Sequence, residues 1–396
     1  MKPTVFAKLS VMMLLEYFIW SSWYVTMSTY MGVNLGSSGV QIGAAYSALA
    51  IATMISPFFV GMVADRYFSA QRIMGVLHII GAVLLFFVTE ISDNTVFYWV
   101  ILFYSLLYMP TIALSNSIAF HQMTDPGKQF PWIRVFGTVG WIVAGLLISF
   151  IGIEKTSSTF VMAAVASGLL GLFSFVLPDT PPNKSETSAS KVLGTEAFVL
   201  FKNKAYVIFF IAAVLVCIPL SFYYELANRF LNELGVENAA GKMTMGQVSE
   251  ALFILAIPFL FKRIGVKNML LLGMTAWILR YICFAFGDTG SDVWMLYAGI
   301  ILHGICYDFF FVTGYMYTEM KAGEKIKNAA QGLFTFATYG LGMFIGTWLS
   351  GFVADFYKSG DVHDWTRIWY VPAYIAVGVL VYFIFFFREK REIGQA

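Results

Sequence analysis

Five ionisable side chains stand within long apolar runs: Glu16, Arg134, Glu225, Glu250 and Asp308. A charge in lipid is costly, so such a residue faces a bundle interior or a watery cavity and marks a route for solutes or protons. Helical spacing says what each can align with. Arg134, Thr138 and Trp141 fall at i, i+4 and i+7, so a guanidinium, a hydroxyl and an indole share one stripe. Gln247 and Glu250 lie three apart on one face, Ser221, Tyr224, Glu225 and Asn228 form another stripe, and His303 and Tyr307 stand four apart beside Asp308. These groups together suit a flat polar ring joined to a polyol. Aromatics stack on the ring, while amides and carboxylates pair with ring edges or vicinal hydroxyls. A carboxylate whose exposure changes as solute loads and unloads can also take up and release a proton. Glu250 or Asp308 is the expected carrier, with Glu16 and Glu225 as further acids inside spans, and linkage then couples proton to solute.

Other chemistries lack their residues. Cys217, Cys283 and Cys306 all lie in apolar runs without CxxC or CxxH spacing, so neither a disulfide framework nor a metal site is expected. No HExxH, GxSxG or Walker pattern supports an enzyme, and no cofactor is implied. A formal charge of +2, with Lys and Arg scattered singly or in twos, gives no surface for nucleic acid.

The elements that carry these residues follow from composition. Of the 396 residues, 59% are hydrophobic and 12% charged, against about 25% charged in soluble domains. The solvent is lipid. A spanning helix needs about 20 apolar residues, and the apolar runs predict twelve spans. Six lie near 7–33, 40–62, 72–91, 95–122, 132–153 and 157–177; six more lie near 205–230, 243–261, 268–287, 293–319, 328–355 and 367–387. The first run has no small-x-small cleavage site and is expected to be retained. Between the sets lies a stretch rich in Pro, Ser, Thr and Lys. The expected fold is therefore an all-α membrane protein of two six-helix bundles, 1–178 and 205–396, joined by a linker at 179–204.

Positive charge orients it. Lys2, Lys8, Arg66, Arg72, Lys128, Lys202, Lys204, Lys262, Arg263, Lys321 and Arg388 fall on one side of the spans, against Lys155, Arg229, Lys242, Lys358 and Arg367 on the other. The richer side is cytoplasmic, and both termini lie there. The halves also echo each other: Gly137, Gly140 and Gly145 in the fifth span match Gly340, Gly342, Gly346 and Gly351 in the eleventh, where small residues let helices approach closely. Between the second and third spans, Gly61, Asp65 and Arg66 form a G-x-x-x-D-R loop, with Gly for a tight turn and Asp and Arg to latch helix ends.

That loop resembles one found throughout the major facilitator superfamily, and longer stretches resemble its nucleoside–proton symporters over almost the whole chain. They are Ile42-Gly-Ala-Ala-Tyr-Ser47, Val63-Ala-Asp-Arg66, Tyr108-Met-Pro-Thr111, Ile133-Arg-Val-Phe-Gly-Thr138, Leu200-Phe-Lys-Asn203, Ser249-Glu-Ala-Leu-Phe-Ile-Leu255, Ala276-Trp-Ile-Leu-Arg280 and Asp308-Phe-Phe310. The resemblance implies that Arg134, Thr138, Gln247 and Glu250 line a nucleoside cavity and that Asp308 is a functional acid. Trp141 and Tyr307 stand where the family pattern has phenylalanine, Ser221 and Tyr224 where it has Gln and Asn, His303 where it has tyrosine, and Glu16 where it has glutamine. The resemblance further implies a symporter working by alternating access in a bacterial inner membrane, with a nucleoside, a proton and the lipid bilayer as partners and the monomer as the working unit. A carrier of another neutral glycoside or sugar-like metabolite, and an uncoupled nucleoside facilitator, are the alternatives.

Overall fold

The computed structural model describes residues 1–59, 68–182 and 194–388. Among the described residues, seven helices form the first part: α1 (Pro3–Tyr24), α2 (Met27–Asn34), α3 (Gly39–Phe59), α4 (Ala70–Val88), α5 (Asn94–His121), α6 (Pro126–Ile151) and α7 (Ser158–Ser174). Local chemistry sets several ends. Asp93 and Asp125 cap α5 and α6 by accepting from the Val96 and Lys128 amides, and Gly152 ends α6 in the left-handed region. A 3-10 turn (Thr195–Lys202) leads into α8 (Lys204–Glu233) and α9 (Ala239–Phe286). There follow α10 (Val293–Ile301), α11 (His303–Tyr307), α12 (Thr313–Thr335), α13 (Met343–Phe356) and α14 (Trp365–Phe386), with a two-residue-strand hairpin at Lys358–Ser359 and Val362–His363.

Ten helical stretches among the described residues are long and apolar enough to cross a membrane. The expected span 7–33 is two helices, α1 and α2, the expected gap between 293–319 and 328–355 is crossed by α12, which leaves the helical region at Gly323 and Ile326, and two further places differ from the sequence expectation. The expected spans 243–261 and 268–287 form one helical stretch of 48 residues, interrupted at Gly265, whose φ of 76° and ψ of 170° leave the helical region. The expected span 157–177 is a helix of 17 residues, about 25 Å long.

By packing, the chain forms two compact units: Met1–Leu193 with Phe222–Gln247 and Thr347–Phe356, and Gly194–Ser221 with Val248–Gly346 and Tyr357–Ala396. In the first, α1 packs on α6 and α7, while α4 packs on α5 and α7. A polar knot ties four of these helices. Glu16 on α1 lies 3.0 Å from the Nε2 of His78 on α4 and accepts from the Thr111 hydroxyl of α5 at 2.6 Å. The Nδ1 of His78 is 3.1 Å from the hydroxyl of Ser167 on α7, which donates to the His78 carbonyl. All four side chains are buried. The α1–α6 seam depends on Gly140, where any Cβ would run into the Leu14 carbonyl.

At one end of this unit, two carboxylates seal helix starts. Asp355 on α13 accepts from the amides of Gly39 and Val40, the first residues of α3, at 2.5 and 2.9 Å. Glu154, just beyond α6, accepts from the Ala240 amide at the start of α9 at 2.9 Å, and from Asn228 and Asn232 at 2.6 and 2.9 Å. Thr29 donates to Asn228 at 2.6 Å, and the Ser149 hydroxyl accepts from the Gly241 amide at 2.7 Å. Each carboxylate thus sits on the positive end of a helix whose first amides lack partners within it. Gly39 and Gly351 let α3 and α13 come backbone to backbone there.

Gly140→Val therefore overpacks the α1–α6 seam and should cost on the order of 1–3 kcal/mol, read as an earlier thermal unfolding of the detergent-solubilised protein. Gly378→Ala, inside α14 with open space around it, should leave the unfolding temperature unchanged or slightly raised.

Candidate functional site

The first unit contains a cavity built on the fifth-span stripe. Ser21 of α1 and Val25 just after it, Trp141, Gly145 and Ile148 of α6, Tyr223 and Tyr224 of α8, and Ala240, Met243, Thr244 and Gln247 of α9 line it. Three residues singled out by spacing, Trp141, Tyr224 and Gln247, thus share one cavity. Aromatic edges dominate its surroundings: Trp141 lies 5.6 Å from Trp20, Trp20 5.9 Å from Tyr24, and Tyr24 5.7 Å from Tyr224, ring centre to ring centre. Such walls offer both stacking faces and ring edges to a flat solute. Two turns from Trp141 on α6, Arg134 is half-buried with its guanidinium carbon 4.0 Å over the ring of Tyr17, a cation–π contact. Thr138, between them in the stripe, is half-buried.

Spacing on the eighth span places Glu250 one turn beyond Gln247 on α9, and its surroundings belong to the second unit. Its Oε2 is 3.8 Å from the Nε2 of His303, whose Nδ1 is 3.0 Å from a guanidinium nitrogen of Arg280. Tyr307 and Tyr339 share a hydrogen bond between their hydroxyls. Asp308 is buried, and neither of its carboxylate oxygens has a hydrogen-bond partner among the described residues. It opens a π-helical segment, Asp308–Val312, and Tyr339 lies in a second one, Phe336–Gly342. π-helical turns inside α-helices recur at functional sites, since the widened turn leaves the ladder irregular.

Other expected residues have different surroundings. Glu16 is enclosed in the four-helix knot with His78. Glu225 is buried and accepts from the Ser350 hydroxyl at 2.5 Å. Ser221 gives its hydroxyl to carbonyls of its own helix, Ile218 at 2.7 Å and Cys217 at 3.1 Å, and packs against Gly346. Gly61, Asp65 and Arg66 lie outside the described residues. No cluster of three His, Cys, Asp or Glu side chains suited to a metal ion occurs among the described residues.

Sequence spacing misses several groups. Ser21, Tyr223 and Thr244 line the cavity but carry no charge to mark them. Tyr17, Trp20 and Tyr24 recur at i, i+3 and i+7 on α1, a stripe visible in the sequence. His78 is an ionisable residue in the middle of the third span, and it escapes a search confined to carboxylates and arginines.

These features can be set beside known proteins. The model of the nucleoside H+ symporter family matches residues 3–392. The chain is 42% identical to the putative nucleoside transporter YegT of Escherichia coli (strain K12), over 98% of this chain and 95% of that one. It is 37% identical to the xanthosine permease of the same organism, over 97% and 96% of the two chains. It is 35% identical to the nucleoside permease NupG of that organism, also over 97% and 96%. The crystal structure of nucleoside transporter NupG matches with a TM-score of 0.90 at 35% identity, covering 98% of this chain and 100% of that one. A POT family transporter, 14% identical, shares the fold with a TM-score of 0.74 over 96% of each chain. With a match that runs nearly end to end in sequence and in structure, the chain belongs to the nucleoside H+ symporter family.

Proposed function

We propose that this multi-pass membrane protein carries nucleosides into the cell together with a proton, by alternating access, and catalyses no covalent reaction. The observation that carries the reading is the aromatic cavity of Trp141, Tyr224 and Gln247 in a chain of this family. Within the first unit the nucleoside-binding groups are Arg134, Thr138, Trp141, Tyr224 and Gln247; within the second they are Glu250 and Tyr307, with His303 behind Glu250. Asp308 is the proton carrier we favour. A buried carboxylate with no protein hydrogen-bond partner is poorly suited to a fixed charge, and well suited to take a proton and give it up. Glu250 is the second acid of this chemistry. Glu16 and Glu225, each held by partners, set the packing of the first unit.

The same reading takes the chain as twelve spans, with Gly265 as the break between the eighth and ninth. They form bundles at 1–178 and 205–396 with a cytoplasmic linker at 179–204, and a monomer works in a bacterial inner membrane. With both termini cytoplasmic, the Asp355 and Glu154 caps lie at the outer face. There they form the closed outer gate: an acid at the end of the eleventh span holds the start of the second, and an acid after the fifth holds the start of the eighth. In a six-plus-six plan these are corresponding pairs, so the gate has two matched halves.

The test is uptake of labelled nucleosides into proteoliposomes with an imposed inside-alkaline gradient. The wild type should accumulate nucleoside above equilibrium, and a protonophore should abolish the excess. Asp308→Asn should retain nucleoside exchange but lose gradient-driven accumulation; accumulation intact in this variant removes Asp308 as carrier. Trp141→Ala should weaken binding by about 1–3 kcal/mol, the usual loss of one aromatic stacked on a base. For the gate, each cap contributes about 1 kcal/mol. Glu154→Gln with Asp355→Asn should shift the gate toward open by roughly thirtyfold. A Ser28→Cys reporter, buried when the gate is shut, should then react faster with an impermeant maleimide added outside.

A further inference from the structure

His303 stands between two charged side chains of the second unit, and the geometry fixes where its proton sits. A guanidinium nitrogen of Arg280 is 3.0 Å from the Nδ1 of His303. Arginine only donates, so Nδ1 accepts, and the ring proton of a neutral imidazole belongs to Nε2. That nitrogen is the one facing Glu250, 3.8 Å from its Oε2. A second proton on the ring would have to displace the Arg280 contact. The ring therefore has one tautomer to adopt, with an N–H directed toward the carboxylate.

The surroundings hold this order rigidly. Arg280 is buried, with its guanidinium carbon 5.5 and 5.7 Å from the ring centres of Trp277 and Phe284. The Ser249 hydroxyl donates to the Ile301 carbonyl at 2.6 Å, pinning the α9 turn that carries Glu250 to the residues before His303. A Cβ at Gly304 would strike the backbone of Ser249 and Glu250. Cys306, Tyr307 and Asp308 follow on the same side of the sequence, with the Tyr307 ring 5.7 Å from that of His303. Exposure separates the roles. The His303 side chain is 1% exposed and the Glu250 side chain 25%, so the carboxylate meets the solute and the imidazole stands behind it.

We propose that Arg280 and His303 are positioning residues for Glu250: Arg280 sets the His303 tautomer, and the His303 Nε2–H holds the Glu250 carboxylate in one orientation as an acceptor for the nucleoside. This rests on the reading that Glu250 binds the nucleoside, and it takes His303 out of direct solute contact and out of the proton pathway. Arg280 acts through His303, and His303 acts through Glu250.

Two measurements on the full-length protein test this. The first needs no solute. In protein labelled with 15N-histidine, the ring signals that disappear in His303→Gln belong to His303. They should report a single Nε2–H tautomer that does not change between about pH 5 and 8, where an ordinary imidazole changes charge. In Arg280→Met the same signals should show tautomer exchange or a titration. A His303 ring that titrates in the wild type, or is unaltered by Arg280→Met, overturns the proposal.

The second is nucleoside binding in a double-mutant cycle. His303→Phe should weaken binding about fivefold, the loss of a polar N–H aimed at the carboxylate from 3.8 Å, while His303→Gln, with an amide N–H near the Nε2 position, restores most of it. In the Glu250→Gln background, His303→Phe should cost no more than about twofold. Independent, additive losses overturn the coupling. Glu250→Gln without effect on binding overturns instead the reading on which the proposal rests, and the ring-signal measurement still decides whether Arg280 sets the tautomer.

Discussion

In hydrocarbon a polar group has no water to fall back on, and each must find its partner within the protein. The Glu16 knot is where this constraint is most concentrated. One carboxylate on α1 engages an imidazole on α4 and a hydroxyl on α5, and the imidazole in turn engages a hydroxyl on α7. Removing any member leaves a buried group unsatisfied, which costs far more than the contact itself contributes. The knot therefore fixes the rotation of α1, and with it the face on which Tyr17, Trp20, Ser21 and Tyr24 are presented. The cavity wall inherits its position from a cluster that does not touch the cavity.

The second unit meets the same constraint differently. Around Glu250 the partners are a cation and an imidazole in series, so the exposed acid is backed by a buried chain. A few residues on, Asp308 is left with no such support, at the first turn of a π-helical segment. One acid is held and one is not. Holding suits recognition, which needs a fixed acceptor, and the lack of it suits proton exchange, which needs a group able to change state. The contrast arises from two side chains of one unit, one on α9 and the other just after α11.

The sequence makes much of this legible and hides the rest for physical reasons. Apolar length and scattered charge are enough to read a helical membrane protein, and the i, i+4, i+7 stripe on the fifth span leads to Trp141. Tyr224 and Gln247 come to the same cavity. The break at Gly265 is harder to read, since the lysines and arginine around it suggest a loop while the backbone stays helical up to a single residue. Spacing cannot say that the Glu16 stripe faces His78, because that contact depends on how α1 and α4 are rotated. Ser221 looks like a cavity hydroxyl by position, yet serine in a helix can bond its own preceding carbonyls, and here it does. The π-helical segments have no composition signal at all.

The carboxylate caps at the helix starts have a consequence for how this protein can vary. A salt bridge between side chains fails when either partner is replaced. Here the helix-start groups that donate to the acids, at 39, 40 and 240, are main-chain amides, which every residue except proline supplies. Half of each contact is thus written in the backbone rather than in the genetic alphabet of side chains. Helix starts on this face are free to drift in electrostatic character, within the space that Gly39 requires, while the acids at 154 and 355, with Asn228 and Asn232 beside the first, keep the closure.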